Sequence, residues 1–276
     1  EVIIFSPFWV SFPDFVAVTG AKPIFVKTDA HRQFEPDFND LKEKITSNTR
    51  GIIINSPSNP TGGVWGDNAI LEVINLAKNS NIWVFSDECY EQLTYDRSYV
   101  SIAKLAESYD KVLTFQSCSK TYAMTGWRIG YTAGDKRVIK AMGKLQGQST
   151  SCPNAIAQVA AIEALTGDQS EVERMRVEFK KRRDYIVDRL NRMDGVSCIT
   201  PGGAFYVFPD FSSHMGEDAK IKCSNDLSMY LLKEKSVVTV SGDAFGGEGH
   251  VRFSYAASND DLRRAMDFVE DALNEI

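Results

Sequence analysis

Short runs rich in β-branched residues recur through the first half of this chain, apolar at consecutive rather than alternate positions. They are PIFVKTD (Pro23–Asp29), RGIIINS (50–56), IWVFSDE (82–88), KVLTFQS (111–117) and RIGYTAG (128–134), and EVIIF (1–5) reads as a further strand. A strand that is apolar on both sides must be covered on both sides, as in a parallel sheet between helices. The intervening PDFNDLKEKI and DNAILEVINLAKNSN carry helical spacing, with Asp67 the expected N-cap of the second. This alternation predicts an α/β fold with a mostly parallel sheet. EVIIF has no turn or cap before it, so the chain reads as opening in mid-fold, with an N-terminal portion expected upstream.

The second half changes character. Residues 168–193 show apolar positions at three- and four-residue spacing among many charges, which predicts one helix of roughly 39 Å at ~1.5 Å per residue. Beyond it VSCIT, GAFYVFPDF, VVTVSG and HVRFSYA read as strands, with helices near Ser224–Lys235 and 260–275. The expected division is therefore a large domain over 1–167, a connecting helix over 168–193 and a smaller α+β domain over 194–276.

Charge and composition narrow the partners. A net charge of −6 over 276 residues and a pI of about 5.2 disfavour nucleic acid or an anionic membrane as the main ligand, because those need clustered Lys and Arg. No apolar run approaches the ~20 residues of a membrane span, so small molecules are the expected partners. Cys89, Cys118, Cys152, Cys198 and Cys223 are odd in number and scattered, which reads as reduced thiols in the cytoplasm. No metal site is expected: His31, His214 and His250 lack ligand spacing, and the GGEG at 246–249 reads as a turn because no helix follows it.

In open α/β sheets ligands gather at the carboxyl ends of strands. There this sequence presents Asn59 after GIII, Asp87 and Tyr90 after WVF, then Ser117, Ser119 and Lys120 after VLTFQ, and Arg128 before the next strand. A lysine can form a Schiff base with a carbonyl once its amine is partly deprotonated. An arginine with hydroxyls suits a phosphate, and an aspartate can keep a pyridine nitrogen protonated. The set fits pyridoxal 5′-phosphate (PLP).

The segments NSPSNPTG, SDECYEQLTY, SCSKTYAMTGWRIGY, KLQGQSTSCPNAIAQ, PGGAFYVFPDF, SGDAFG and VRFSYAAS, in this order, resemble the class I aminotransferases of PLP fold type I, and among them the aspartate/prephenate subgroup. The resemblance implies a large PLP-binding domain plus a small α+β domain. It implies that Lys120 holds PLP covalently and then serves as general acid and base. Asp87 would pair with the ring nitrogen, Tyr90 and Asn59 would bond the phenolic oxygen, and Trp9 would stack on the ring. Ser117, Ser119 and Arg128 would bind the phosphate, and Arg252, with Asn59, the substrate α-carboxylate. The implied reaction moves an amino group from an L-amino acid, aspartate first, to 2-oxoglutarate by a ping-pong route in a homodimer. The alternatives are an aromatic, prephenate or alanine type of aminotransferase, another PLP chemistry such as a carbon–sulfur lyase, or a fragment without its phosphate-capping helix that is inactive.

Overall fold

The run EVIIF, first in the chain, becomes a central strand of the main sheet. In the computed structural model, which describes residues 1–106 and 109–276, β1 (Val2–Ser6) pairs in parallel with β2 (Pro23–Asp29) on one side and β4 (Gly51–Asn55) on the other. Ile3 and Ile4 are almost fully buried on opposite faces, as consecutive apolar residues in a two-sided strand must be. β3 (Glu35–Pro36), β5 (Trp83–Asp87), β6 (Val112–Ser117) and β7 (Gly130–Ala133) complete a seven-stranded sheet in the order β3-β2-β1-β4-β5-β6-β7. Only the edge strands β3 and β7 run antiparallel to their neighbours.

Helices cover both faces. Ile70, Val73, Ile74 and Ala77 of α3 (Asp67–Asn79) pack against Ile3, Phe5, Ile52 and Ile54, and Phe12 and Val16 of α1 (Ser11–Ala17) pack against Ile4 and Ile53 from the other side. Between these lies α2 (Phe38–Lys44), capped by the Asp37 carboxylate. α4 (Ile102–Leu105), α5 (Cys118–Thr121), α6 (Lys136–Ser149) and α7 (Ala155–Thr166) follow.

Asp67 is not the N-cap of α3; Gly66 is, and its N–H donates to Glu35 Oε1 at 2.8 Å. A carboxylate from β3 therefore satisfies that turn, and Asp67 instead pairs with Arg97. Likewise β7 begins at Gly130 rather than at 128, because residues 125–127 form a 3-10 turn and Arg128 has a left-handed φ of 51°.

The long helix, α8, runs from Ser170 to Asn191 and buries Ile186, Val187 and Leu190. Against this end pack a three-stranded antiparallel sheet, β8 (Tyr206–Val207), β9 (Val240–Ser241) and β10 (Val251–Ser254) in the order β8-β10-β9, and the helices α9 (Ser224–Lys235) and α10 (Asn259–Asn274). VSCIT does not become a strand. It makes one bridge, Ser197 to Asp210, and the Asn191 amide takes both backbone groups of Cys198, at 2.8 and 2.9 Å. A side chain thus satisfies the groups that a ladder would have used.

Candidate active site

Three parallel strands end side by side, Asn55 of β4 in register with Asp87 of β5 and Asp87 with Phe115 of β6. Where β6 ends, Ser117 Oγ accepts the Ser119 N–H at 3.0 Å and so caps α5, the single turn that carries Lys120. The capping requirement of that turn is the local reason the chain turns here.

At these ends opens a cleft of about 420 Å³ walled by Trp9, Phe12, Phe15 and Phe85, with Asp87 and Ser117 among its polar groups. Trp9 meets Phe12 and Phe15 edge-on at 5.4 and 5.6 Å, a packing that fixes the indole plane. Asp87 Oδ1 accepts the Cys89 N–H at 3.1 Å, so it also serves as the turn former that an aspartate at a strand end would supply anyway. Burial raises the Asp87 carboxyl to about 6; the Cys89 N–H opposes this and the charge of Glu88 adds to it. Burial, with Asp87 behind it, pushes the neighbouring Cys89 thiol up to about 12, against the pull of Lys120 and Ser117. The thiol is therefore neutral. Lys120 Nζ lies over the Phe205 ring, 5.8 Å from its centre.

A second group of residues comes from the far end of the chain. The Arg252 guanidinium, on β10, sits between the rings of Tyr206 and Phe245 at 4.6 and 4.9 Å. Its Nη1 donates to Asn59 Oδ1 at 2.8 Å, while its Nε is buried without a partner. Burial draws its pKa down, with Tyr206 and Tyr90 opposing. A buried donor left unpaired costs about 1–3 kcal/mol, and an arginine fork with spare donors matches a carboxylate. Tyr90 shares a 2.9 Å hydrogen bond with the Tyr206 hydroxyl, and burial raises its phenol far above the usual range.

Asn55 joins the two groups. Its Oδ1 accepts the Asn59 N–H at 2.8 Å and its Nδ2 donates to the Asp87 carbonyl at 3.3 Å. Phe205 joins them again, lying under Lys120 and 5.5 Å from the Tyr90 ring.

Of the residues singled out in the sequence, Trp9, Asp87 and Ser117 share one cleft, Lys120 and Ser119 stand at its β6 edge, and beside it Arg252 is bonded to Asn59 and Tyr90 to Tyr206. Arg128 stands apart: its turn comes near Ser117 through the Ser117–Gly130 pairing, but the side chain is exposed and donates to the Thr125 carbonyl at 2.9 Å. Sequence reading passed over Asn55, Phe205, Tyr206 and Phe245. Each lies in a segment quoted above, yet nothing local tells a structural aromatic from one that faces a cation.

The cleft fits PLP: an aromatic wall for a flat ring, a buried carboxyl for its nitrogen, hydroxyls with a capped helical turn for its phosphate, and an amine beside it. Among the described residues, no group of three or more His, Cys, Asp or Glu is placed to hold a metal ion. No helix among them is long and apolar enough to cross a membrane.

Comparison with known proteins shows the family. Residues 1–269 match the family described as aminotransferase class I and II. The chain is 43% identical to the aspartate/prephenate aminotransferase of Cereibacter sphaeroides, over 96% of its own length and 68% of the relative's. It is 41% identical to a probable aspartate/prephenate aminotransferase of Rickettsia conorii, over 100% of this chain and 71% of that one. Among solved structures, aspartate aminotransferase from Thermus thermophilus with maleate superposes with a TM-score of 0.92 at 37% identity, covering 99% of this chain and 69% of that one. Aromatic aminotransferase from Pyrococcus horikoshii does so with a TM-score of 0.93 at 38% identity, covering 100% and 73%.

Proposed function

The chain belongs to the class I and II aminotransferases, and from that premise we propose that it carries the amino group of an L-amino acid, aspartate before others, to 2-oxoglutarate with PLP as cofactor, in two half-reactions of ping-pong form. The observation that carries this reading is the apolar cleft in which Trp9, Asp87 and Ser117 meet, one helical turn from Lys120. Relatives named for aspartate and prephenate, and one solved with maleate, itself a dicarboxylate, support a dicarboxylic substrate.

PLP, when bound, supplies the electron sink that makes an amino acid's α-proton removable. The chain's own residues do the rest. Lys120 Nζ would hold the cofactor through its carbonyl group and, once the incoming amino group has displaced it, would be the free amine that takes and returns the α-proton. Asp87 keeps a proton on the ring nitrogen, and the Trp9 face excludes water from the ring. Tyr90 and Asn59 orient the phenolic oxygen, while Ser117, Ser119 and Arg128 bind the phosphate, Arg128 after its guanidinium leaves the Thr125 carbonyl. Arg252 receives the substrate α-carboxylate on the donors that Asn59 leaves free.

The same reading makes the protein a cytoplasmic homodimer. Family membership supports this, and so does α7, on which Ile156 and Val159 stand 71% and 68% exposed, since a helix apolar all round needs a cover.

The test is retention of PLP by the purified chain. The unaltered chain is expected to retain the cofactor through dialysis with a visible absorption band and to lose the band when L-aspartate is added; Lys120→Ala should show neither behaviour. A Lys120→Ala variant that retains PLP as the unaltered chain does would overturn the assignment.

A further inference from the structure

Next to Asp87 in sequence, and on the opposite face of β5, lies a carboxylate that the reading above leaves without work. Glu88 is 0% exposed. Its Oε1 accepts from Ser86 Oγ at 2.9 Å, Ser101 Oγ at 3.1 Å and the Ile102 N–H at 3.0 Å, and its Oε2 accepts from Gln116 Nε2 at 3.0 Å. These donors come from β5, β6 and the first turn of α4. None carries a positive charge. They replace the hydration that burial removes.

Strand alternation sends Phe85, Asp87 and Cys89 into the cleft and Ser86 and Glu88 away from it. The same residue anchors the turn that follows: the Glu88 N–H donates to the Phe115 carbonyl at 2.9 Å, and the Glu88 carbonyl accepts the Glu91 N–H at 3.0 Å. Tyr90 lies inside that turn.

We propose that Glu88 is a positioning residue for the aminotransferase reaction: held by donors from three elements, it fixes the strand end that presents Asp87 and Tyr90 and keeps a fixed negative charge behind Asp87. The proposal rests on the PLP reading above. The other groups near Asp87 do not supply this charge. The Cys89 thiol and the Tyr90 phenol are neutral, Trp9 and the aromatic wall carry none, and Lys120 is of opposite sign. Glu91, in the same turn, is half-buried and has its own carboxyl pushed up by burial and then by Glu88. Burial first, and the charge of Glu88 as a smaller contribution, raise the carboxyl of Asp87. A ring nitrogen facing Asp87 would be near the charge of Glu88 as well, which would favour its protonated form.

Glu88→Gln tests this in the full chain. The amide oxygen can accept what Oε1 accepts, and its NH2 can donate to a flipped Gln116 amide, so shape and the hydrogen bonds to Ser86, Ser101, Ile102 and Gln116 are retained while the charge goes. Two readouts are taken: the carboxyl carbon NMR titration of Asp87 without cofactor, assigned with Asp87→Asn, and the nitrogen chemical shift of ring-labelled PLP in the loaded protein against pH. The expected result is that the Asp87 midpoint falls by half a pH unit or more and that the ring nitrogen loses its proton at lower pH, at unchanged melting temperature. If Glu88→Gln does not fold, Ser101→Lys, outside the cleft, sets a cation against Oε1 and must move both midpoints in the same direction. An Asp87 midpoint and a ring-nitrogen shift that stay where they were, in whichever variant folds, overturn the proposal. An unaltered chain with no bound ring-nitrogen signal fails the PLP reading instead, and the Asp87 titration still decides the role of Glu88.

Discussion

Arg252 gives one Nη to Asn59, leaves a buried Nε unpaired and keeps aromatic faces on both sides, so its remaining donors call for an anion from outside the chain. Asp87 shows the complementary condition, an acid held in an apolar cleft until a cation arrives. Its carboxyl titrates at about 6 in the folded chain, against an ordinary aspartate value of about 3.9. For an acid raised by folding, the folded state binds more protons than the unfolded one between those values. Stability is therefore greatest below about pH 4 for this group and is lost as pH rises through 6, by an amount on the order of 3 kcal/mol. Asp87→Asn is expected to flatten that part of the profile and to make the cofactor-free chain more stable at pH 7.5. Urea unfolding at pH 4.5, 6 and 7.5 checks it; an unchanged slope would mean that Asp87 is not the group responsible. The strand ends that present Asp87, Ser117 and Lys120 were legible in the sequence, because apolar runs and turn formers are local signals. The pairing of Arg252 with Asn59 was not, since nothing local in either segment points to a partner 193 residues away.

At the scale of elements, the loop between β4 and α3 is where the two sheets meet. Gly62 has φ +68°, and a Cβ there would lie 2.5 Å from Pro201 Cβ and 2.8 Å from the carbonyls of Gly203 and Tyr206. The Gly203 N–H donates to the Gly62 carbonyl at 2.9 Å. The segment carrying Asn59 is thus seated directly on the segment carrying Tyr206. Gly62→Ala combines left-handed strain with overpacking and is expected to cost about 2–4 kcal/mol, read as a lower denaturant midpoint. In a cofactor-loaded chain it should also raise KM for aspartate more than it lowers kcat, because Asn59 and Arg252 move apart. Loss of stability without any change in KM would separate the loop from the site. Sequence reading recognised the Pro and Gly residues of this loop as turn formers. What the turn packs against depended on residues 201–206, so it was not readable there.

For the whole molecule, α8 ties the parts together. Arg183, 3% exposed, donates to Asp96 and to the Pro201 carbonyl and lies 4.9 Å over the Tyr95 ring, so one side chain of the long helix touches segments before and after it. The apolar positions of α7 remain exposed in the single chain. Light scattering is expected to give twice the 30.8 kDa of one chain, and Val159→Glu to move it toward one; a monomer in the unaltered protein would refute the dimer. By itself the sequence determined the parallel sheet, the long helix and the lysine-bearing turn at a strand end, because hydrophobic period, capping and turn chemistry act within a few residues. Only the tertiary structure decided that Tyr90 meets Tyr206 across 116 residues, that Arg252 closes on Asn59, and that Glu88 is buried behind Asp87. Those contacts arise where separately built layers pack against each other, and packing has no period that a linear pattern can record.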